Sequence, residues 1–246
     1  MSDNKSKNKI MGVLPVLMYH NVLSNDTELK SFSIHERKLE TQFQYLIKHN
    51  YVTLHFSELD KLKKIPQKSV IITFDDITIN QLEYAAPLLE KYNLKATFFI
   101  PFYYIGKSDE WNGMDNPEPI MSLEQIKSLS SNIELGYHSY KHRHFSNLSK
   151  IEIENDFEES IRVIDQENLK VFPVIAYPFG NFPRKEPHKS VFFEIMQSFG
   201  IKYGLRIGNR INKFPFSSSF EINRIDIKGT ENSFQFKWKL KFGKLF

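Results

Sequence analysis

The chain has 246 residues, 41% hydrophobic and 25% charged, enough apolar mass for one large globular domain of the barrel or doubly wound kind. A net charge of +4 is mild, and the basic residues form no stripe outside the C-terminus, which argues against a nucleic-acid partner. With no cysteine, disulfides and thiolate metal sites are excluded, so any bound metal must be held by His, Asp or Glu.

The polar, Lys-rich start reads as a flexible lead over residues 1–12. The short apolar stretch Met11 to Tyr19 contains Pro15 and lacks a small-residue cleavage site, so it reads as a strand and not as a signal peptide. The expectation is therefore a protein that is cytoplasmic or lies at the cytoplasmic face of a membrane. A first strand, Val13 to His20, ends at a histidine. Ser33-Ile34-His35-Glu36 has the pattern of a capping box, with Leu39, Phe43, Leu46 and Ile47 on one face of the helix behind it. A short strand over Tyr51 to Phe56 and a brief helix capped by Ser57 follow.

Val70 to Phe74 is a run of apolar and β-branched residues that reads as a strand buried on both faces, and it ends in Asp75-Asp76. Two readings of that end stand side by side. One is a solvated Asp-Asp turn. The other is a carboxylate pair compensated by a divalent cation, which lets the two acids take different roles. A helix over residues 80–92, with Leu82, Ala85, Ala86 and Leu89 inward, and a strand from Ala96 to Pro101 come next. Residues 102–121 form a long irregular loop, the kind that is usually functional or mobile. Ser122 caps a helix to about Leu129, and the strand Ile133 to Tyr137 ends at His138. Ser149-Lys150-Ile151-Glu152 opens a long helix to about Glu167. The strand Val171 to Tyr177 runs into Pro178-Phe179-Gly180; a helix over 188–198 and strands Ile201 to Leu205 and Phe220 to Ile227 complete the order. Strand and helix alternate throughout, so the fold class is α/β with a parallel sheet.

His20, Asp75-Asp76, His138 and the segment from Tyr177 to Gly180 each lie at the C-terminal end of an expected strand. In a barrel those ends share one rim, where active sites are built. His138 and His142 are four residues apart and share a face if the segment turns helically. With Asp76 they make two nitrogens and one oxygen around an open site, the three-ligand pattern of a catalytic metal. His144 falls on another face and takes a surface role in this reading.

These residues carry a resemblance. Thr73-Phe74-Asp75-Asp76 and His138-Ser139-Tyr140-Lys141-His142 resemble the first two motifs of the polysaccharide deacetylase (NodB-homology) family, and Tyr177-Pro178-Phe179-Gly180 looks like its third. The resemblance implies a distorted (β/α) barrel of about seven strands, over residues 13–228; the residues beyond it, 229–246, form a basic aromatic tail. It implies Asp75 as catalytic base, and Asp76, His138 and His142 as ligands of a divalent cation, most plausibly Zn²⁺. It makes the turn from Tyr177 through Pro178 the wall of an acetate pocket, with the Phe179 N–H as oxyanion donor. Val16 to Val22 is similar to the start of permuted poly-N-acetylglucosamine deacetylases, which puts the general acid at His20. Asn223-Arg224-Ile225 resembles the segment whose Arg orients the catalytic Asp.

The family usually has Gly after the acidic pair; here it is Ile77, which implies a rebuilt loop or an impaired site. Because the acids and histidines persist, a working enzyme is expected: removal of N-acetyl groups from a glycan containing N-acetylhexosamine. The alternatives are O-acetyl ester hydrolysis with the same residues and a catalytically impaired glycan-binding protein. In the tail, residues 233–246, aromatics alternate with lysines at period two, yet Phe234, Trp238, Phe242 and Phe246 recur at four. The tail thus packs on the barrel as a strand or a helix, or makes a peripheral contact with an anionic membrane.

Overall fold

The computed structural model describes residues 12–30, 32–111 and 117–244. Its strands are β1 Gly12–Leu14, β2 Val16–Tyr19, β3 Asn21–Leu23, β4 Ser33–His35, β5 Val52–Thr53, β6 Ser69–Phe74, β7 Ala96–Ile100, β8 Ile133–Tyr137, β9 Val171–Ala176, β10 Tyr203–Ile207, β11 Asn212–Phe214 and β12 Ile222–Asp226. The helices are α1 Glu36–Lys48, α2 Phe56–Leu59, α3 Ala86–Lys91, α4 Leu123–Ser128, α5 Lys150–Glu167, α6 His188–Ser198 and α7 Ser233–Phe242.

Seven parallel strands close into a ring in the order β2-β12-β10-β9-β8-β7-β6, with β6 returning to pair with β2 and β5 added outside β6. This is the expected distorted barrel of seven strands. Alternate residues along each strand point to opposite faces. Val16, Ile71, Phe99, Val174, Leu205 and Ile222 fill the interior, and the short α2 plugs the end from which the strands start. Leu17, Ile72, Phe98, Ile175 and Ile225 face outward beneath the helices. That two-sided burial is why the strands read as continuous apolar runs and not as alternating ones.

The first expected strand is in fact two. Pro15, which has no N–H for a ladder, separates β1, antiparallel to β11, from β2 in the barrel. The cap of α1 is His35 and not Ser33, which lies in β4 and exchanges hydrogen bonds with the backbone of Lys30. The strand expected over 51–56 shrinks to two residues, because His55 and Glu58 already form a capping box for α2. The helix expected over 80–92 opens with a π-turn, Gln81–Ala85, before α3. Ala85 and Leu89 face inward as expected, while the π-turn leaves Leu82 and Ala86 half-buried and brings Gln81 and Leu88 into their place.

The tail resolves as a helix. Phe236 and Leu240 of α7 join the main core, while Phe234 and Phe242 stay 63% and 50% exposed beside Lys237 and Lys241. Residues 1–11 of the expected lead, and Phe246 of the four-residue repeat, lie outside the described residues. No helix among the described residues is long and apolar enough to cross a membrane.

Ile77 keeps the backbone conformation that Gly would supply. Its φ is +50°, next to Asp76 at +76°, and its side chain is fully buried in the main core. The carbonyl of Ile77 accepts the Met121 N–H at 3.0 Å, which ties this turn to the long loop. Left-handed backbone costs a β-branched residue about 1–3 kcal/mol, and full burial of its side chain returns about 1.5–3 kcal/mol. Ile77→Gly is expected to lower stability by about 1–3 kcal/mol in urea unfolding, because emptying the site costs more than the relieved strain returns. A variant as stable as the parent would show that strain dominates at this turn.

Candidate active site

The strand ends bring the expected residues together in one buried site. β2 and β6 run side by side, Tyr19 paired with Phe74, and the last ladder bond is the Asp75 N–H donating to the Tyr19 carbonyl at 3.0 Å. Just beyond it, His20 Nε2 lies 3.7 Å from Asp75 Oδ2. Arg224, fully buried on β12, grips the same carboxylate with both terminal nitrogens, at 2.5 and 2.8 Å. A planar guanidinium matches a carboxylate in this two-pronged way, which fixes orientation as well as charge. Burial pushes the Asp75 pKa up, but Arg224, His138 and His20 outweigh it and hold the carboxyl below its usual range.

Asp76 Oδ1, His138 Nε2 and His142 Nε2 converge. The oxygen lies 3.4 and 3.3 Å from the two nitrogens, which are 3.1 Å from each other. All three residues are buried, and among the described residues Asp76 Oδ1 accepts no hydrogen bond. The three atoms lie close enough to one another to share one centre. Tetrahedral coordination at about 2.0–2.1 Å places its donors about 3.3 Å apart, so the triangle has the size of three ligands around one cation. His138 Nδ1–H donates to the Ala176 carbonyl at 2.7 Å, which leaves the Nε2 lone pair aimed at that centre. The charges agree: two buried carboxylates against one guanidinium leave an excess negative charge that a cation would compensate. Burial opposes ionisation of Asp76, yet the two imidazoles hold its carboxyl well below the usual range.

The His138–His142 segment is not helical. Ser139 and His142 both take positive φ, +62° and +50°, and this double left-handed turn folds the second imidazole back onto the first. Asp156, buried on α5, accepts the Tyr140 N–H at 2.8 Å and pins the turn from behind. Burial raises the Asp156 pKa to about 6, against the pull of the backbone N–H groups and Arg143.

Tyr177 is buried between the barrel and α6, and its hydroxyl donates to the Phe220 carbonyl at 2.9 Å, so it anchors the third-motif turn from outside the barrel wall. Pro178 is buried beside it. Phe179 has a φ of +58°, and its ring lies 4.7 Å from His142 and stacks on His144 at 4.0 Å. Gly180 also needs its φ of +63°, since a Cβ there would come within 2.8 Å of Ile207. His144 therefore lies beside the site, outside the ligand set.

Three neighbours were not anticipated. Trp111, from the long loop, stacks on His142 at 3.8 Å. Phe32 holds a positive φ of +55° with its exposed ring 5.2 Å from His20. Gln81 is buried beneath both strand ends. Asp156 and Gln81 have one signal in common: each is a polar residue set among apolar ones on the inward stripe of a helix.

A family model described as polysaccharide deacetylase matches residues 63–203, more than half of the chain. The chain belongs to the polysaccharide deacetylase family. Within the family it is 29% identical over 174 residues to YxkH of Bacillus subtilis, an alignment covering 69% of this chain and 57% of YxkH. It is 26% identical over 227 residues to the poly-β-1,6-N-acetyl-D-glucosamine N-deacetylase of Staphylococcus epidermidis, covering 86% of this chain and 73% of that one. Among solved structures, the deacetylase PplD of Streptococcus pyogenes superposes with a TM-score of 0.77 at 21% identity, over 96% of this chain and all of PplD. IcaB of Ammonifex degensii superposes with a TM-score of 0.74 at 20% identity, over 95% and 98% of the two chains. Both share the fold. His20 and Arg224 lie outside the span matched by the polysaccharide deacetylase family model, and the structure places both against Asp75.

His138→Ala is expected to bind less than a tenth of the divalent metal that the parent holds per chain, measured by elemental analysis after dialysis, since two ligands of three give up roughly one or more orders of affinity. Full retention of metal by that variant would remove His138 from the ligand set.

Proposed function

We propose that the chain hydrolyses the acetamido group of an N-acetylhexosamine in a glycan, releasing acetate and a free amine. The observation that carries this reading is the convergence, within 3.1–3.8 Å, of a guanidinium-bound carboxylate, a partly accessible histidine and an Asp-His-His triangle. The names of the Staphylococcus relatives support N-acetylglucosamine as the sugar. A divalent cation, Zn²⁺ in this reading, suits two nitrogens and one oxygen with an open fourth position, where it would supply Lewis acidity toward the substrate carbonyl.

The chain's own groups account for the protons. Asp75 Oδ2 faces His20 and His138 and takes a proton from the attacking water, while Arg224 keeps the carboxylate ionised and fixed in aim. The water oxygen bonds to the carbonyl carbon, and the Phe179 N–H donates to the oxygen on which charge develops. The C–N bond then breaks, and protonated His20 gives its proton to the departing nitrogen. An amine leaves poorly without that proton, and this favours an acetamide over an ester as the substrate that needs His20.

Incubation with chito-oligosaccharides or β-1,6-linked N-acetylglucosamine oligomers should release acetate and free amine in equal amounts. A chelator should stop the release and added Zn²⁺ restore it. Metal-loaded protein that releases no acetate from these or O-acetylated glycans would sink the reading. For His20→Ala, kcat should fall by about 10²–10⁴-fold with metal content unchanged, the usual worth of a positioned acid. Near-normal turnover in that variant would make His20 a structural residue at a strand end.

A further inference from the structure

Gln81 is fully buried on the π-turn that follows the acidic pair. Its Nε2 lies 3.1 Å from the carbonyl oxygen of His20 and 2.5 Å from that of Asp75. Only the NH₂ end of the amide can sit between two carbonyls, because its oxygen there would face two acceptors. Both hydrogens are therefore spent on two backbone positions 55 residues apart, which follows from their numbers 20 and 75.

The location explains the arrangement. The β2–β6 ladder stops at the Asp75 N–H, because Asp76 turns into the left-handed region. The Gln81 side chain takes over where the ladder ends and bridges the next pair of carbonyls. Asn80 extends the tie: its Oδ1 accepts the Val22 N–H at 3.0 Å, and its Nδ2 donates to Asn21 Oδ1 at 3.0 Å. Stability alone would favour an apolar residue at this position, which shares its face with Ala85, Leu88 and Leu89. Gln81 Oε1 is itself buried with no hydrogen-bond partner among the described residues. A π-turn inserts one residue into a helical turn and is frequent at functional sites. Here it carries the amide to both strand ends.

We infer that Gln81 is a positioning residue, which sets the separation of the acid His20 and the base Asp75 by tying the backbone carbonyls of both. The inference rests on the deacetylase reading above, and its test separates the two. Gln81→Met keeps the length of the side chain and removes both donors. At full metal content, this variant should lose about 10–10²-fold in kcat on an N-acetylglucosamine oligomer, the scale of a small misplacement of reacting groups. KM should stay within about twofold, since no substrate contact is removed. 4-Nitrophenyl acetate, whose leaving group departs without protonation, should be affected less. In a His20→Ala background the Gln81 change should lose most of its effect.

The crystal structure of Gln81→Met should show a His20–Asp75 separation different from 3.7 Å, a readout independent of turnover. An unchanged separation overturns the inference, and so does full kcat in the folded, metal-loaded variant. Losses that multiply fully with those of His20→Ala overturn it too. If Gln81→Met does not fold, Gln81→Asn, whose amide is one methylene too short for both carbonyls, decides by the same measurements. Wild-type protein that releases no acetate overturns the deacetylase reading instead, while the separation still decides the role of Gln81.

Discussion

A carboxylate cannot be left buried without compensation, and here Asp75 is compensated by Arg224. The pair lies wholly inside the barrel, joined by two hydrogen bonds from β12 to the end of β6. Removing one partner of such a pair leaves an unpaired buried charge, which costs about 3–5 kcal/mol. Both strands must therefore flank β2 closely, and both do. Asp76 adds a second negative charge that Arg224 does not cancel. The imidazoles of His138 and His142 supply electron pairs and not a fixed positive charge, so the site is built to be completed by a cation.

Much of this was legible in the chain. The Ser69–Phe74 run is buried on both faces and reads as a near-continuous apolar stretch, and its terminal Asp pair and the histidines at 138 and 142 have fixed chemistry. The conformation of the turns was less accessible. A helical turn at His138 would also place two imidazoles on one face, and period alone does not exclude it. The actual turn depends on Asp156, sixteen residues past Tyr140, accepting a backbone N–H, a tertiary contact that leaves no local pattern. Ile77 misleads in the same way. A β-branched side chain argues against positive φ, but the core encloses it closely enough to hold it there. Gln81 escaped because the π-turn displaces the inward stripe on which it would have stood out, and Trp111 because a lone aromatic in a loop has no periodic signature.

Backbone strain gathers at one end of the barrel. Asp76, Ile77, Ser139, His142 and Phe179 all take positive φ within a residue or a few of a strand end. The strands below are rigid and buried, so each departure is held by ladder bonds on one side and a side-chain or loop contact on the other. Asp75, Asp76, His138 and His142 inherit that rigidity. A site assembled this way needs little reordering to meet a substrate, because its side chains are already oriented by packing.

The place of β2 in the ring has a consequence for how the molecule comes into being. Its neighbours are β6, about fifty residues on, and β12, about two hundred residues on. During synthesis the first barrel strand emerges before either partner, and it gains β6 long before β12 is made. Until residues 222–226 emerge, the ring is a sheet with two open edges, and Asp75 has no guanidinium to face. Such non-local pairing is slow to form and exposes strand edges to other chains in the meantime. Ring closure and charge compensation of Asp75 thus fall in a single late event, because the strand that closes the wall is also the one that carries Arg224.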